Sequence, residues 1–386
     1  IDKTLILPSH RHIEAEENAV VTLLESSTVL LLRNERTKDG TRYPIGDDDR
    51  DTDISINGGR WEESRTERAG YGKSGMYDEN RSFYGVSACM FFNNIRNLVL
   101  TNMTFAHTAG FAVQTGDLEN GVFENIRFDS CYADGLHING NAKCLFIRNI
   151  SGQVGDDLVA LNMYDWQNSS VDFGPAAMIY CENLLLSDDS RYKALRIEPG
   201  RYRYADGTEV DCSVTDLYIC RVRGIHTFKL YFQTPRYKIG TPPETGGVGS
   251  ADNLYFEDIE ADLSSPIDPF PEYTLPDPIR GSSAVFEIGA DIGTISFENI
   301  NVRLHKDILP MSFFLCVGPK SVVKEDTEIF DPYLSCTVHE IILKNVCING
   351  SCDWDIADGI RKIAFEDINA DGHSTASGKI VKVTKE

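Results

Sequence analysis

"LVLTNMTF" (98–105), "VFENIRF" (122–128) and "LFIRNIS" (145–151) are three readings of one pattern, in which apolar and polar residues alternate around an Asn at a fixed place. The pattern returns as IYCENLLL at Asn183, LYFEDIEA at Asp258, ISFENINV at Asn299, IILKNVCI at Asn345 and IAFEDINA at Asp367, while LYICRVRG carries Arg221 in the polar slot. Alternation with period two marks strands, and recurrence every few dozen residues marks a stacked supersecondary unit. From Asn102 the spacings are 23, 24, 34, 38, 37, 41, 46 and 22 residues. The shortest units have room for two or three short strands with their turns, which is one coil of a parallel β-helix; longer units are coils carrying loop insertions. An Asn at one turn position suits a left-handed corner, and its amide can bond the same residue one coil away. Leucine-rich repeats have units of similar length, but their LxxLxLxxN run is missing here. An antiparallel sandwich gives no reason for an Asn locked in phase. The expected fold is all-β, a single-stranded right-handed parallel β-helix of about ten coils with loop insertions. One domain is expected over 1–386, with an N-terminal strand and cap region at 1–50, coils at 51–375 and a C-terminal tail at 376–386.

Composition limits the partners. Asp plus Glu outnumber Lys plus Arg by 59 to 37, and the net charge of −22 argues against nucleic acid or an anionic membrane surface. A neutral partner such as a sugar is unaffected by that balance. No apolar run is long enough to suggest a transmembrane helix. Ten cysteines are an even number that a secreted protein would pair. Yet Cys144, Cys181, Cys220, Cys316 and Cys347 each fall in apolar, strand-like runs, where a free thiol behaves as a small buried hydrophobe. No Cys or His spacing suits zinc. Reduced thiols and a cytoplasmic enzyme are the expectation. A secreted or periplasmic location stays open, because the chain begins at Ile1 rather than Met.

A second set of strand-like segments lies between the Asn-bearing ones: FAVQT (111–115), GLHIN (135–139), LVALN (158–162), ALRIE (194–198), FKLYF (228–232), VFEIG (285–289) and FFLCV (313–317). Alternation points Leu136 and Ile138 inward and His137 outward. By the same rule Arg196, Lys229, Tyr231 and Glu287 point outward, with Glu198 open to the outside as well. Stacked about 4.8 Å apart, these residues share one face of mixed charge. A solvated surface and a binding face are both open at this point.

Acids gather at the entrances of two of these strands. Asp134, in "CYADGLHI", opens one; Asp156, in "GQVGDDLVALN", opens the next, 22 residues later, with Asp157 adjoining after the turn at Gly155. That spacing predicts Asp134 and Asp156 at the same position of neighbouring coils. Carboxylates so close raise one another's proton affinity, so that one holds a proton near neutral pH while another stays ionised. An acid–base pair needs that division of labour. An Asp-rich corner of purely structural origin is the alternative.

"ADGLHI" followed one coil later by "GDDLVAL" resembles the Asn-Thr-Asp-Gly and Gly-Asp-Asp signatures of the polygalacturonase-type, pectinase-like family of glycoside hydrolases. "INGGRWEE" (56–63) resembles that family's early Gly-rich turn. The resemblance implies a right-handed parallel β-helix that hydrolyses glycosidic bonds with inversion. It implies Asp156 as general acid, with Asp134 and Asp157 holding and deprotonating the attacking water. Inverting pairs stand about 6.5–9.5 Å apart so that a water fits between them. The specific motifs cover residues 133–162 only, and this chain departs from them elsewhere. Tyr132-Ala133 precedes the first Asp, and "SRYKALRIEPG" stands where the family has Gly-His-Gly, so Tyr192, Lys193 or Arg196 takes the histidine's place. The family's Arg-Ile-Lys, which grips a galacturonate carboxylate, falls by strand order at Lys229-Leu230-Tyr231, so a neutral or decorated sugar fits as well as polygalacturonate.

The expected substrate is an oligosaccharide or polysaccharide, contacted by His137, Arg196, Lys193, Lys229, Tyr231, Glu198, Glu287 and Trp166, with no metal or other cofactor. Trp61 and Tyr164 are further candidates for stacking on sugar, each also readable as packing. "GDDDRD" (46–51) lacks EF-hand spacing and reads as an acidic loop. "TPPETGGVGS" (241–250) and "SSPIDPFPEYTLPDP" (264–278) are insertions suited to cleft walls that restrict action to chain ends. Two other classes remain open: a lyase in which the three aspartates hold Ca²⁺ and Arg196 or Lys229 abstracts a proton, and a non-catalytic glycan-binding β-helix.

Overall fold

The computed structural model describes residues 1–24, 30–37, 49–64, 76–77, 82–83, 86, 88–165, 171–190, 194–203, 206–225, 228–231, 245–263, 284–304, 312–316, 336–348, 367–368, 374–375 and 378–385. It is an all-β parallel β-helix. Its 21-stranded main sheet is parallel at every pairing, and successive coils lie against one another. Among the described residues no helix is long and apolar enough to cross a membrane.

Two columns of strands run the length of the molecule. The Asn-bearing column passes through Asp51–Asn57, Ala88–Ala106, Phe111–Cys131, Ala142–Val154, Ala176–Leu186, Val214–Ile225, Ser250–Leu263, Asp291–Leu304, Cys336–Ile348 and Gly378–Lys385. The second column passes from the start of Phe111–Cys131 through Leu136–Asn139, Val159–Asn162, Leu195–Glu198, Phe228–Tyr231, Ala284–Gly289 and Ser312–Cys316. Short strands at Leu5–Leu7 and Leu32–Asn34 already pair in parallel, so coil geometry begins well before residue 51. At the other end, the rung after Cys336–Ile348 is Gly378–Lys385, in register Ile341↔Val383, while Asp367–Ile368 makes a small antiparallel pair with Ser374–Thr375.

The core is built by repetition. Phe123, Ile147, Cys181, Ile219, Phe256, Phe297 and Leu343 occupy one inward file in consecutive rungs, each buried. Ile138, Leu161, Ile197, Leu230 and Ile288 make the corresponding file of the second column. Each such side chain removed from water contributes about 1.5–3 kcal/mol, and no single strand buries its apolar face without the next coil.

At the corner, Asn102, Asn125, Asn149 and Asn183 have φ of 55°, 56°, 56° and 57°. Their amides form a ladder: Asn102 donates to Asn57 (2.7 Å), Asn125 to Asn102 (2.9 Å), Asn149 to Asn125 (2.8 Å) and Asn183 to Asn149 (2.7 Å). A second left-handed corner lies five residues upstream, at Asn97, Asn120, Cys144, Met178, Asp216 and Asn253. There Asn97 donates to Asp53, Asn120 to Asn97 and Asn253 to Asp216.

Cys131, Cys181, Cys212 and Cys220 are free thiols and buried, as a small hydrophobe in a strand should be, and Cys89 and Cys336 are buried as well. Burial also pushes the Cys131 thiol up to about 11. Cys144 sits at a corner rather than in the core, and Cys347 is disulfide-bonded. The expectation of a free thiol at Cys347 is therefore corrected: Val346 takes the inward slot after Leu343, so position 347 faces away from the core.

Candidate active site

The register of the second column places the acids. Leu136 pairs with Val159, so this coil is 23 residues and Asp134 lies over Asp157, while the next coil, from Val159 to Leu195, takes 36. The Gly135 N–H donates to the Asp157 carbonyl at 3.0 Å. The sequence reading set Asp134 level with Asp156; the structure sets it level with Asp157 and leaves Asp156 on the bend beneath Ala133. Gly155 explains the bend. It lies under Tyr132, whose carbonyl oxygen would stand 1.9 Å from any Cβ placed there. The adjacent acids thus occupy a bend and a strand entrance, where alternation does not apply. Asp134 and Asp157 are buried, and Asp156 is half-buried.

One oxygen from each of Asp134, Asp156 and Asp157 lies within 4.8 Å of the others. Both oxygens of Asp134 are engaged. Oδ1 accepts from the Asp157 backbone N–H at 2.9 Å, and Oδ2 faces His137 Nδ1 at 2.6 Å. Across the ring, His137 Nε2 stands 3.3 Å from Asp165 Oδ2, which also accepts from Asn162 Nδ2 at 3.0 Å. Burial works to strip the second proton from His137, but the hydrogen bonds and charges of Asp134 and Asp165 outweigh it and lift the group to about 9. Asp157 is compensated differently: Arg196 Nη1 is 3.6 Å from its Oδ2, and Arg196 Nη2 pairs with Glu198 Oε1.

Three carboxylates are enough in number to attract a divalent cation. Here, however, an imidazole lifted towards its charged form and a guanidinium already supply the positive charge beside two of them. Asp165 and Glu198 stand behind those cations, so five acids share two positive groups.

His137, Arg196 and Glu198 come to this one site, and all three are buried, at 1%, 7% and 0% exposure. The outward-facing positions assigned from alternation are in the right file, but that file is covered here rather than solvated. The backbones of Lys229 and Glu287 continue it, in register Arg196↔Lys229↔Glu287, and Tyr231 lies two residues on from Lys229. The side chains of Lys229, Tyr231 and Glu287 lie outside the described residues, as do Lys193, Tyr192 and Trp166 altogether. Trp61 is core packing, with its ring N–H donating to Gly58 O at 3.0 Å. Asp51, from the acidic loop, is fully buried and accepts from Ser9, Asn34 and the Arg36 N–H.

Several residues of the site carried no assignment from sequence. Gln114 Nε2 donates to Asn139 Oδ1 at 2.9 Å, and Asn139 Nδ2 donates to Asn162 O at 3.1 Å. Phe111 lies flat on the His137 ring, with centroids 3.9 Å apart and planes within 8°. Asn139 and Asn162 had a signal, since LHIN and VALN end alike at the 23-residue spacing. Asp165 had none, because it arrives from outside the repeating pattern, and Phe111 opens the FAVQT segment, where nothing marked it as a partner of His137.

Two insertions meet beside the site. Residues 171–175 fold back over Gly116 and Gly140, where a Cβ at Gly140 would lie 2.1 Å from Gly174 N. The strand Gly200–Arg203 pairs antiparallel with Glu209–Cys212 and Thr245–Val248. They lock through aromatic rings: Phe173 stacks on Tyr202 at 4.1 Å, and Tyr164 tilts against both.

No protein-family model and no curated protein matches the chain. Among solved structures it is similar to the surface protein and adhesin PfbA of Streptococcus pneumoniae, at 12% identity and TM-score 0.42 over 100% of this chain and 88% of that one. It is similar to endo-xylogalacturonan hydrolase from Aspergillus tubingensis, at 12% identity and TM-score 0.36 over 99% and 91% of the two chains. It is also similar to the catalytic domain of a GH87 alpha-1,3-glucanase in complex with nigerose, at 12% identity and TM-score 0.35, covering 91% of this chain and 61% of that one.

Proposed function

We propose that this chain is a glycoside hydrolase acting without a metal ion, with Asp156 as general acid and Asp134 and Asp157 handling the attacking water. One observation carries the reading: three carboxylates with oxygens within 4.8 Å, of which two are buried beside cations and the third is half-buried. A carboxylate next to a cation is held ionised and suits the base. A half-buried carboxyl among other negative charges is disposed to keep its proton and can reach a leaving-group oxygen.

Inversion is the proposed outcome, with Asp134 and Asp157 gripping one water jointly. The nearest oxygens are closer together than the about 6.5–9.5 Å of most inverting pairs, which favours retention as the second reading. Proton NMR of the first-formed anomer separates the two. Arg196 is engaged by Asp157 and Glu198, which supports a neutral or decorated sugar over a uronate gripped at that position. Flanked by two carboxylates it is also a poor proton abstractor, which weighs against a lyase using Arg196. The locked aromatic insertions support a walled cleft and action at chain ends.

The test is a panel of nitrophenyl glycosides and of pectic, α-1,3-glucan and host oligosaccharides, assayed with and without EDTA. Hydrolysis that survives EDTA, with no new absorbance near 235 nm, is the expected result. Asp156→Asn is expected to lower turnover by about three orders of magnitude or more with substrate binding kept. Binding without any product marks a glycan-binding protein instead, and an Asp156→Asn variant that keeps most of its activity removes the assigned acid.

A further inference from the structure

We infer that His137 and Asp165 are positioning residues: with Asp134 they form a carboxylate–imidazolium–carboxylate chain that fixes the water-handling acid, and they do not contact sugar. The inference rests on the hydrolase reading for its catalytic part and on geometry alone for the chain itself. His137 is 1% exposed, which leaves no face for a ligand. One side of its ring is covered by Phe111, a stacking that favours a charged ring. Each ring nitrogen faces a carboxylate oxygen, Nδ1 to Asp134 at 2.6 Å and Nε2 to Asp165 at 3.3 Å, and a ring that donates to both carries two protons.

One neighbour competes. Asn139 Nδ2 stands 3.3 Å from Nε2 and would donate to it if the ring were neutral. The amide cannot turn round, because Asn139 Oδ1 already accepts from Gln114 Nε2 and from the Val171 N–H. The choice therefore lies between Nε2 donating to Asp165 and Nε2 accepting from Asn139, and Asp165 decides it. Asp165 is 5% exposed and is anchored by Asn162, one coil from Asn139. Asp134 Oδ2 thus faces a ring held from its far side by Asp165, which fixes the direction in which the carboxylate points. Arg196 does the same for Asp157 with Glu198 behind it, so both buried acids have a cation backed by a second acid.

The experiment is ¹⁵N NMR of protein labelled at histidine, at pH 7, with the His137 signals assigned by their loss in His137→Gln. Two protonated ring nitrogens in the wild type, and one in Asp165→Asn, are expected. A neutral ring in the wild type overturns the chain. In kinetics, Asp165→Asn is expected to lower kcat about 10- to 100-fold, as loss of orienting partners generally does, with KM unchanged and Asp165→Glu recovering part of the loss. A raised KM with kcat intact would make His137 and Asp165 sugar contacts and overturn the inference. Should Asp165→Asn fail to fold, the wild-type spectrum and Asp165→Glu still decide. A wild type that hydrolyses no glycan ends the hydrolase reading and the catalytic part with it, while the spectrum still decides the chain.

Discussion

Asn125 donates to Asn102 and accepts from Asn149 while holding φ at 56°, so one residue provides a strained corner and two rungs of a ladder. Asn125→Ala keeps the strain and loses both bonds. It is expected to cost about 1–3 kcal/mol in urea unfolding, and Asn125→Gly less, because glycine enters the left-handed region freely. Equal costs for the two would show that the corner is unstrained. Asp172 illustrates the opposite balance. It is 3% exposed, and burial followed by the charge of Asp117 pushes its carboxyl well above the usual range, against help from Asn93 and Arg50. A carboxyl raised in the folded state favours folding below its unfolded pKa and becomes a cost as pH rises through the folded value. Asp172→Asn keeps an acceptor for Asn93 and removes the charge. It is therefore expected to raise Tm at pH 7 by an amount that shrinks towards pH 3, each unit of displacement being worth about 1.4 kcal/mol. A Tm that falls at pH 7 would show the charge to be needed there.

Among elements, the Asn-bearing strands were legible because alternation and the corner residue recur together. The second corner was hidden, although it lies five residues upstream throughout, because Cys144 and Met178 stand where Asn97 and Asn120 would have announced it. The acids were legible as a group but not in their register: the offset between coils falls from 24 residues at Phe128↔Gly152 to 23 at Cys131↔Val154 and stays there, so Asp134 meets Asp157, whereas an offset of 22 would have given it Asp156. The segment 171–175 gave no sign in sequence of lying across earlier coils. Its closest approach is at Gly140, where a side chain would meet the backbone of Phe173 and Gly174. Gly140→Ala is expected to cost about 1–3 kcal/mol and to weaken the near-ultraviolet circular dichroism of the Phe173–Tyr202 stack. Unchanged stability and dichroism would show that the segment yields without penalty.

Over the whole molecule, a net charge of −22 is spread along a stack of coils. Exposed pairs such as Lys344 with Glu298 (2.6 Å) and Arg203 with Glu209 (3.3 Å) contribute about 0–1 kcal/mol each, so repulsion between like charges outweighs them. Raising NaCl from about 0.01 M to about 0.5 M is therefore expected to raise Tm, and a falling Tm would show the ion pairs to dominate. The sequence by itself determined the period, the inward files and the strand entrances that bear acids, because side-chain alternation and corner geometry are local and repeat with each coil. Only the tertiary structure decided which acids are neighbours, that His137 and Arg196 spend their charge on Asp134 and Asp157, and that the file they stand in is covered. Those facts depend on a one-residue register between coils and on insertions packing across them, and neither is a property of any stretch of chain taken alone.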